Sequence, residues 1–522
     1  MTLFLVSLAL AYIITAYFLT NPIGHTRLFM WRRFLNWFPL GMTYAFLYMG
    51  RYNLTVAKNA LGDLMSKEDF GFIAGVGATV YAVSLALNGP LVDRIGGKKG
   101  ILIGAIGSSL MNALMAGTLY LFLNGQLKVN LLWAFSGLYG MNMLFQSFGA
   151  VSTIKVKSYW FHVRERGTFG AIFGTLISLG VYFAFDWGGA IADAVAVKQP
   201  DKPGMVREIL NYFFALDGRQ VPALWLIFVI PALIMTIWAL IDAIMLKDTP
   251  DQAGFDPLDT ADASSDDGQA HNPGYWAIVR KIFSNRIILI IGVIELTSGV
   301  LRNGVLQWYQ VFAKETGLGV PLITGNWGFW GCVTGIAGGF AAGWVSDRFF
   351  QSRRAPSAGL MEGVMMVASA LMIGFLCLQF LPASSAGKPL ELPAAGEGVM
   401  GLLVGWRPVV VGICAIAMMM AVIGVHSIMS GTATADFGGK KAAATATGIA
   451  DAFAYIGSAI QSFTIGYASS VSWSLWPMVL LPFAILGLIF CMKMWTVVPA
   501  ATKRYLAEVE GKAVPERRGR RH

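Results

Sequence analysis

Apolar residues run along this chain in long blocks. They do not alternate as in a half-buried strand, nor form the single stripe of a surface helix. Twelve such blocks lie at 34–56, 70–92, 100–123, 129–154, 167–188, 222–246, 286–312, 322–345, 358–381, 407–431, 442–468 and 473–497, and another covers 2–20. A bilayer core asks for about 20 apolar residues per spanning helix. Lipid offers the backbone no hydrogen bonds, so each block must close its own as a helix. The pattern predicts an all-α integral membrane protein with an extra helix at the N-terminus. That helix lacks a basic leader and a small-residue cleavage site, which argues against a removable signal peptide. It is expected to span with its N-terminus outside; an interfacial helix is the alternative.

Polar segments divide the blocks. Residues 247–285 separate six from six, and carry Asp248, Asp251, Asp256, Asp259, Asp262, Asp266 and Asp267 among Pro, Ser and Gly. They read as a flexible acidic cytoplasmic linker. The expected organisation is an N-terminal helix and basic loop (1–33), a first six-helix bundle (34–246), the linker (247–285), a second bundle (286–497) and a basic cytoplasmic tail (498–522). Segments 189–221 and 382–406 are long enough to be structured external loops.

Composition supports this picture: the 522 residues are 56% hydrophobic and 13% charged, against about 25% charged in ordinary soluble proteins. The net charge of +10 does not imply nucleic acid. Lys and Arg crowd alternate loops, as the positive-inside rule requires of a cytoplasmic face. The tail Arg517-Arg518-Gly519-Arg520-Arg521-His522 carries the charge to touch anionic lipid; a topology signal is the simpler reading. The chain is thus expected as a multi-pass protein of the plasma (inner) membrane, C-terminus cytoplasmic and monomeric. Cys332, Cys377, Cys414 and Cys491 all lie within apolar blocks without metal-ligand spacing. They read as packing residues, and no metal or cofactor is expected.

The chain repeats itself. Gly89-Pro90-Leu91-Val92-Asp93-Arg94 follows the second block, and Gly343-Trp344-Val345-Ser346-Asp347-Arg348 follows the eighth. Each then runs into a basic pair. One Asp-Arg turn is common by chance, but two at equivalent places imply a six-plus-six duplication. Arg164-Glu165-Arg166-Gly167 before the rest of the fifth block, and Asp436 to Lys441 before the eleventh, repeat a second charged hinge. Gly170, Gly174, Gly180, Gly448, Gly457 and Gly466 beyond them offer close helix approach.

With the paired turns, the chain resembles the major facilitator superfamily over roughly 34–497. The resemblance implies two six-helix bundles related by a pseudo-twofold axis, a central cavity, and alternating access. It also implies that Asp93, Arg94, Asp347 and Arg348 act in gating, the Asp capping or pairing near a neighbouring helix end.

Two arginines lie inside apolar blocks, Arg51 in the first and Arg302 in the seventh. Each costs roughly 2.5–3.5 kcal/mol at a helix centre, and an anionic ligand would offset that. Tyr44 and Tyr48 precede Arg51 by seven and three positions, one face of a helix. A guanidinium suits phosphate bidentately. The duplication brings Arg51 and Arg302 into one cavity, a pair of charges fit for a doubly charged anion. Glu295, one face-repeat before Arg302, offers a structural ion pair instead.

These stretches resemble the organophosphate:inorganic phosphate antiporters, the glycerol-phosphate and hexose-phosphate exchangers. The matching residues are Tyr44, Tyr48 and Arg51; Arg302, Gly304, Leu306 and Trp308; Phe145-Gln146 with Trp160 and the 164–167 hinge; and Lys440-Lys441 with Tyr455-Ile456-Gly457. The resemblance implies substrate binding by Arg51 and Arg302 with Tyr44, Tyr48, Tyr455, Gln146 and Trp308 nearby. Ile177, Tyr52, Leu85 and Gln307 stand where members carry histidine, basic or acidic groups.

The function expected is secondary active exchange of an organic phosphate for inorganic phosphate by alternating access. Such a protein is not an enzyme, and its partners are a small anion and membrane lipid. Two alternatives stand beside it. One is a proton-coupled organic-anion transporter, with Asp451, Glu295, His426 or Asp186 as carrier. The other is a transporter-like membrane sensor. No phosphate-cradling GxxxxGK[ST] sequence is present, which gives ATP-driven pumping no support.

Overall fold

The computed structural model describes residues 2–162, 165–196, 204–219, 221–260, 280, 283–284, 286–350, 353–377, 398–437 and 443–496. The predicted charges at 164, 261–271, 440–441 and 498–522, and residues 382–397, lie outside them. α1 (Thr2–Leu19) comes first. The first bundle follows as α2 (Arg27–Leu61), α3 (Lys67–Ile95), α4 (Gly97–Leu123), α5 (Leu131–Trp160), α6 (Arg166–Tyr182), α7 (Gly188–Ala194), the short α8 (Met205–Phe214) and α9 (Leu226–Met245). A π-helical turn, Phe183–Trp187, joins α6 to α7. The second bundle is α10 (Arg286–Leu306), α11 (Trp308–Thr316), α12 (Pro321–Thr324), α13 (Trp327–Phe350), α14 (Arg354–Cys377), α15 (Gly398–Phe437), α16 (Ala443–Val471) and α17 (Leu475–Lys493).

Among the described residues, eight helices are long and apolar enough to cross a membrane alone. α2, α5, α13 and α16 do not reach that measure, although each fills a predicted block. α2, α5 and α16 carry the buried polar groups Asn53, Asn142, Gln146, Ser458 and Gln461. These dilute the helices' hydropathy and bond across helix contacts.

Side chains set where several helices start. Thr26 accepts from Phe29 N at 3.3 Å. Ser66 and Asp69 form a reciprocal capping box, and Asn130 accepts from Leu132 N at 2.9 Å. The Thr26 cap corrects one boundary: Arg27, Arg32 and Arg33 belong to the first turns of α2 and not to a loop. α1 lies on α2, where Arg33 Nε donates to the Tyr17 hydroxyl at 2.9 Å and Tyr17 donates to Met30 O at 2.9 Å.

The bundles meet through α3 against α16 and α6 against α13, the second helix of one half against the fifth of the other. That reciprocity is the pseudo-twofold axis. Small residues permit it. A Cβ on Gly71 of α3 would stand 2.6 Å from Gly466 Cα of α16, and one on Gly448 would strike Leu85 O. Gly457 is pressed against Leu296 O and Gly180 against Ala45 O. Gly174, expected to do the same, faces open space.

The linker is not uniformly loose. Lys247 N donates to Asn36 Oδ1 at 2.7 Å, Asn36 and Trp160 donate back to Lys247 O, and Asp248 accepts from Lys98 N at 2.7 Å. Phe255 packs edge-on against Phe29. Residues 247–260 therefore pack against the first bundle. The faces of the molecule are named from this: the linker face, and the distal face opposite.

Glu165 on the linker face is buried and ties α2 and the residue His25 before it to the end of α5. Arg33 reaches both its oxygens at 3.0 Å, and His25 and His162 N add bonds at 3.3 and 3.1 Å. Burial alone would raise its pKa, but these bonds from His25 and Arg33 outweigh it and hold the carboxyl down at about 2. A depressed carboxyl stabilises the fold above the ordinary range near 4.3, and the benefit is lost as pH falls through about 2. Glu165→Gln is expected to cost about 3 kcal/mol at neutral pH, because Arg33 is left buried without its countercharge. Thermal unfolding in detergent measures this; an unchanged midpoint would refute it.

Candidate functional site

The two arginines meet at the centre of the molecule. α2 presents Arg51 and α10 presents Arg302, and both are buried. Tyr455 of α16 stands between them. The Arg51 guanidinium carbon lies 5.5 Å from the Tyr455 ring centre and that of Arg302 5.6 Å. The duplication thus does place one guanidinium from each half in a single site.

Arg51 is held by neutral partners. Its Nε donates to Gln146 Oε1 at 3.0 Å, one Nη to the Tyr81 hydroxyl at 3.0 Å, and the other Nη to the Tyr455 hydroxyl. The rings of Tyr48 and Tyr81 lie 4.9 and 4.6 Å from its carbon. Tyr139 donates to the Arg51 carbonyl at 3.1 Å. Hydrogen bonds and ring faces orient the group and soften its burial by about 0.5–2 kcal/mol per aromatic contact, but none cancels the charge. No carboxylate pairs with either arginine among the described residues.

Arg302 is held less tightly. Its Nε is buried and has no hydrogen-bond partner among the described residues. The structural partner offered by the sequence, Glu295, points elsewhere: its Oε2 is bonded to His426 Nδ1 of α15 at 2.7 Å.

Of the other expected residues, Tyr48 and Gln146 touch Arg51, while Tyr44 stacks edge-on against Tyr48 at 5.5 Å and makes no bond to the arginine. Trp308 packs away from the arginines. It lies past the break at Gln307, fully buried against Phe70 and Trp473, and donates to Gln461 Oε1 at 3.1 Å. It fixes α11 against α16 and does not reach the guanidiniums. Two residues join the site beyond those expected. The hydroxyl of Tyr81 of α3 accepts from Arg51, and its ring faces the guanidinium. Tyr52 bonds Asn303 Oδ1 at 3.1 Å across the bundles, and Asn303 in turn donates to Ser458 at 2.6 Å. Tyr52 carries a visible signal, since it neighbours Arg51; Tyr81 carries none, because its approach depends on α3 packing.

Polar contacts join the two bundles on both sides of the site. On the linker face Asp93 accepts from Thr445 N at 3.0 Å and Thr445 Oγ1 at 2.6 Å, and pairs with Lys155 at 2.9 Å. It thereby caps the first turn of α16, the opposite bundle's helix. Arg94, Asp347 and Arg348 are exposed. On the distal face Glu315 pairs with Lys58 and Lys67, each at 3.1 Å. Asp186 accepts from Gly328 N and Phe329 N at 2.7 and 3.0 Å, capping α13 across the interface.

The pattern of the Major Facilitator Superfamily matches residues 40–387. The chain belongs to this superfamily. Its relatives include the glycerol-3-phosphate transporter of Bacillus subtilis, 24% identical over 87% of this chain and 90% of the relative. The membrane sensor protein UhpC of Salmonella typhimurium is 24% identical over 83% of this chain and 85% of the sensor. The "Probable hexose phosphate transport protein" of Chlamydia trachomatis is 22% identical over 88% and 90%. Among solved structures, the E. coli fucose:proton symporter FucP superposes with TM-score 0.50 at 14% identity, over 87% of this chain and 98% of the symporter, which speaks to the fold alone. As a Major Facilitator Superfamily member, the chain is a multi-pass membrane transporter, with its two arginines at the interface between halves.

Proposed function

We propose that this transporter exchanges an organic phosphate, of the sugar-phosphate or glycerol-phosphate class, for inorganic phosphate by alternating access. The single observation that carries the reading is the pair of buried guanidiniums, one per bundle, without a carboxylate partner among the described residues. Such charges call for an anion. Arg302 offers its fork, Arg51 its remaining N–H groups, and Tyr48, Tyr81, Tyr455 and Gln146 add neutral donors. The relatives named for glycerol-phosphate and hexose-phosphate transport support the substrate class. The distal bonds of Glu315 and Asp186 and the linker-face bond of Asp93 are then the two gates, opened in turn. The natural setting is the plasma membrane, with the linker face and C-terminus cytoplasmic.

The testing experiment is labelled-phosphate counterflow in proteoliposomes, competed by a panel of phosphate esters. At least one ester is expected to inhibit more strongly than inorganic phosphate, while neutral sugars and monocarboxylates do not compete. Inhibition by monocarboxylates with no effect of any ester would overturn the class. The similarity to a membrane sensor supports a second reading: ligand binding without flux. Phosphate-ester binding to purified protein with no counterflow selects it.

A further inference from the structure

The anion site leaves one cluster of buried ionisable groups unused. Glu362 of α14 is fully buried, and neither carboxyl oxygen has a hydrogen-bond partner among the described residues. Gly487 of α17 is packed so closely that a Cβ there would stand 2.5 Å from Oε1. Glu295 of α10 is near enough to act on Glu362 as a like charge, and Glu362 acts in turn on the Cys491 thiol of α17. Glu295 is itself fully buried, with Oε2 on His426 and Oε1 unpartnered among the described residues. The His426 side chain, 26% exposed, is the least buried of the three. Arg302 of α10 and Asp451 of α16 are the other charged groups that act on its ring. Counted at 1.5 Å per residue from the linker-face ends of their helices, Glu362, Glu295 and His426 stand at similar depths, about 12 to 17 Å.

An unpaired carboxylate at such a place costs several kcal/mol. Glu362 is therefore stable there as the neutral acid, and the Glu295–His426 bond joins a second buried carboxyl to an imidazole. We propose that Glu295, Glu362 and His426 form a proton-binding site in the second bundle, in exchange with water through His426. The ligand is a proton, taken up or released at the imidazole with no covalent step. This site is separate from the guanidinium pair, but Arg302 acts on His426, so its occupancy is linked to the anion's. The link to the anion rests on the proposed function; the proton site itself does not.

Infrared spectroscopy of the full-length protein in lipid tests the site without any substrate. The wild type is expected to show a protonated-carboxyl stretch at neutral pH that moves to lower frequency in D2O. Glu362→Gln is expected to lose it, and Glu362→Asp to shift it. Absence of the band, its retention in Glu362→Gln, or a band indifferent to D2O, the mark of a sealed structural acid, overturns the proposal. The second readout is the pH profile of phosphate counterflow between about 5 and 8, where an imidazole titrates. His426→Asn is expected to flatten it, and an unaltered profile refutes the link to transport. If the wild type shows no counterflow, the exchange reading fails while the infrared result still decides the proton site.

Discussion

Arg302→Lys is expected to lower the affinity for phosphate and its esters about 100-fold or more. The guanidinium is buried, its Nε has no protein partner among the described residues, and it is therefore free to give two parallel bonds to a phosphoryl group. Lysine keeps the charge but offers a point donor on a flexible stem. Losing charge-assisted bonds in a desolvated site costs about 2–5 kcal/mol, and about 2.8 kcal/mol is already two decades. The substitution conserves charge and breaks no protein hydrogen bond recorded in the described structure, so the fold is expected to survive, as size-exclusion chromatography would verify. Wild-type affinity in Arg302→Lys would sink the phosphate-clamp role. Arg51→Lys is a poorer probe, because it also breaks bonds to Gln146, Tyr81 and Tyr455.

Vesicles loaded with phosphate are expected to take up labelled phosphate about 100-fold faster than empty ones. The empty site holds two guanidiniums among tyrosines and glutamine. Closing both faces around it, with Asp93 on Thr445 and Glu315 on Lys58, confines uncompensated charge in a low dielectric. A penalty of about 2.7 kcal/mol on that step alone slows it 100-fold, and desolvated unpaired ions exceed that easily. A bound phosphate removes the penalty, so the loaded carrier turns over and the empty one waits. Equal uptake with and without internal phosphate would rule out obligatory exchange.

Several parts of the site are legible in the chain's residues alone. Arg51 and Arg302 stand out because lipid makes a buried charge conspicuous, and the paired Asp-Arg turns mark them as symmetry mates. Tyr48 follows from its three-residue offset on the same helix. Residues whose roles depend on contact between helices are not legible in this way. Tyr81 looks like any aromatic in an apolar block until α3 brings it beside Arg51. Glu362 is likewise an acid inside an apolar block, 358–381, but nothing in its own run of Met, Val and Gly says what it meets. Its meaning comes from Glu295, carried on another helix, and from the glycine of α17 pressed against it. The place of Trp308 is likewise set by packing, since it follows the break at Gln307 and bonds Gln461 of α16.

By itself the sequence determined the class of molecule. The length of its apolar blocks fixes helices that cross a bilayer, the repeat fixes two related halves, and the bilayer's intolerance of charge marks the two arginines. These are properties of local composition and spacing, and need no packing to be true. Tertiary structure alone decided which groups face one another. It set Tyr455 between the guanidiniums, gave Glu295 to His426 and not to Arg302, placed Asp93 on Thr445, and left Glu362 without a partner among the described residues. Those choices depend on how close glycines such as Gly71, Gly448 and Gly487 let the helices come, a quantity that emerges only when the surfaces are brought together.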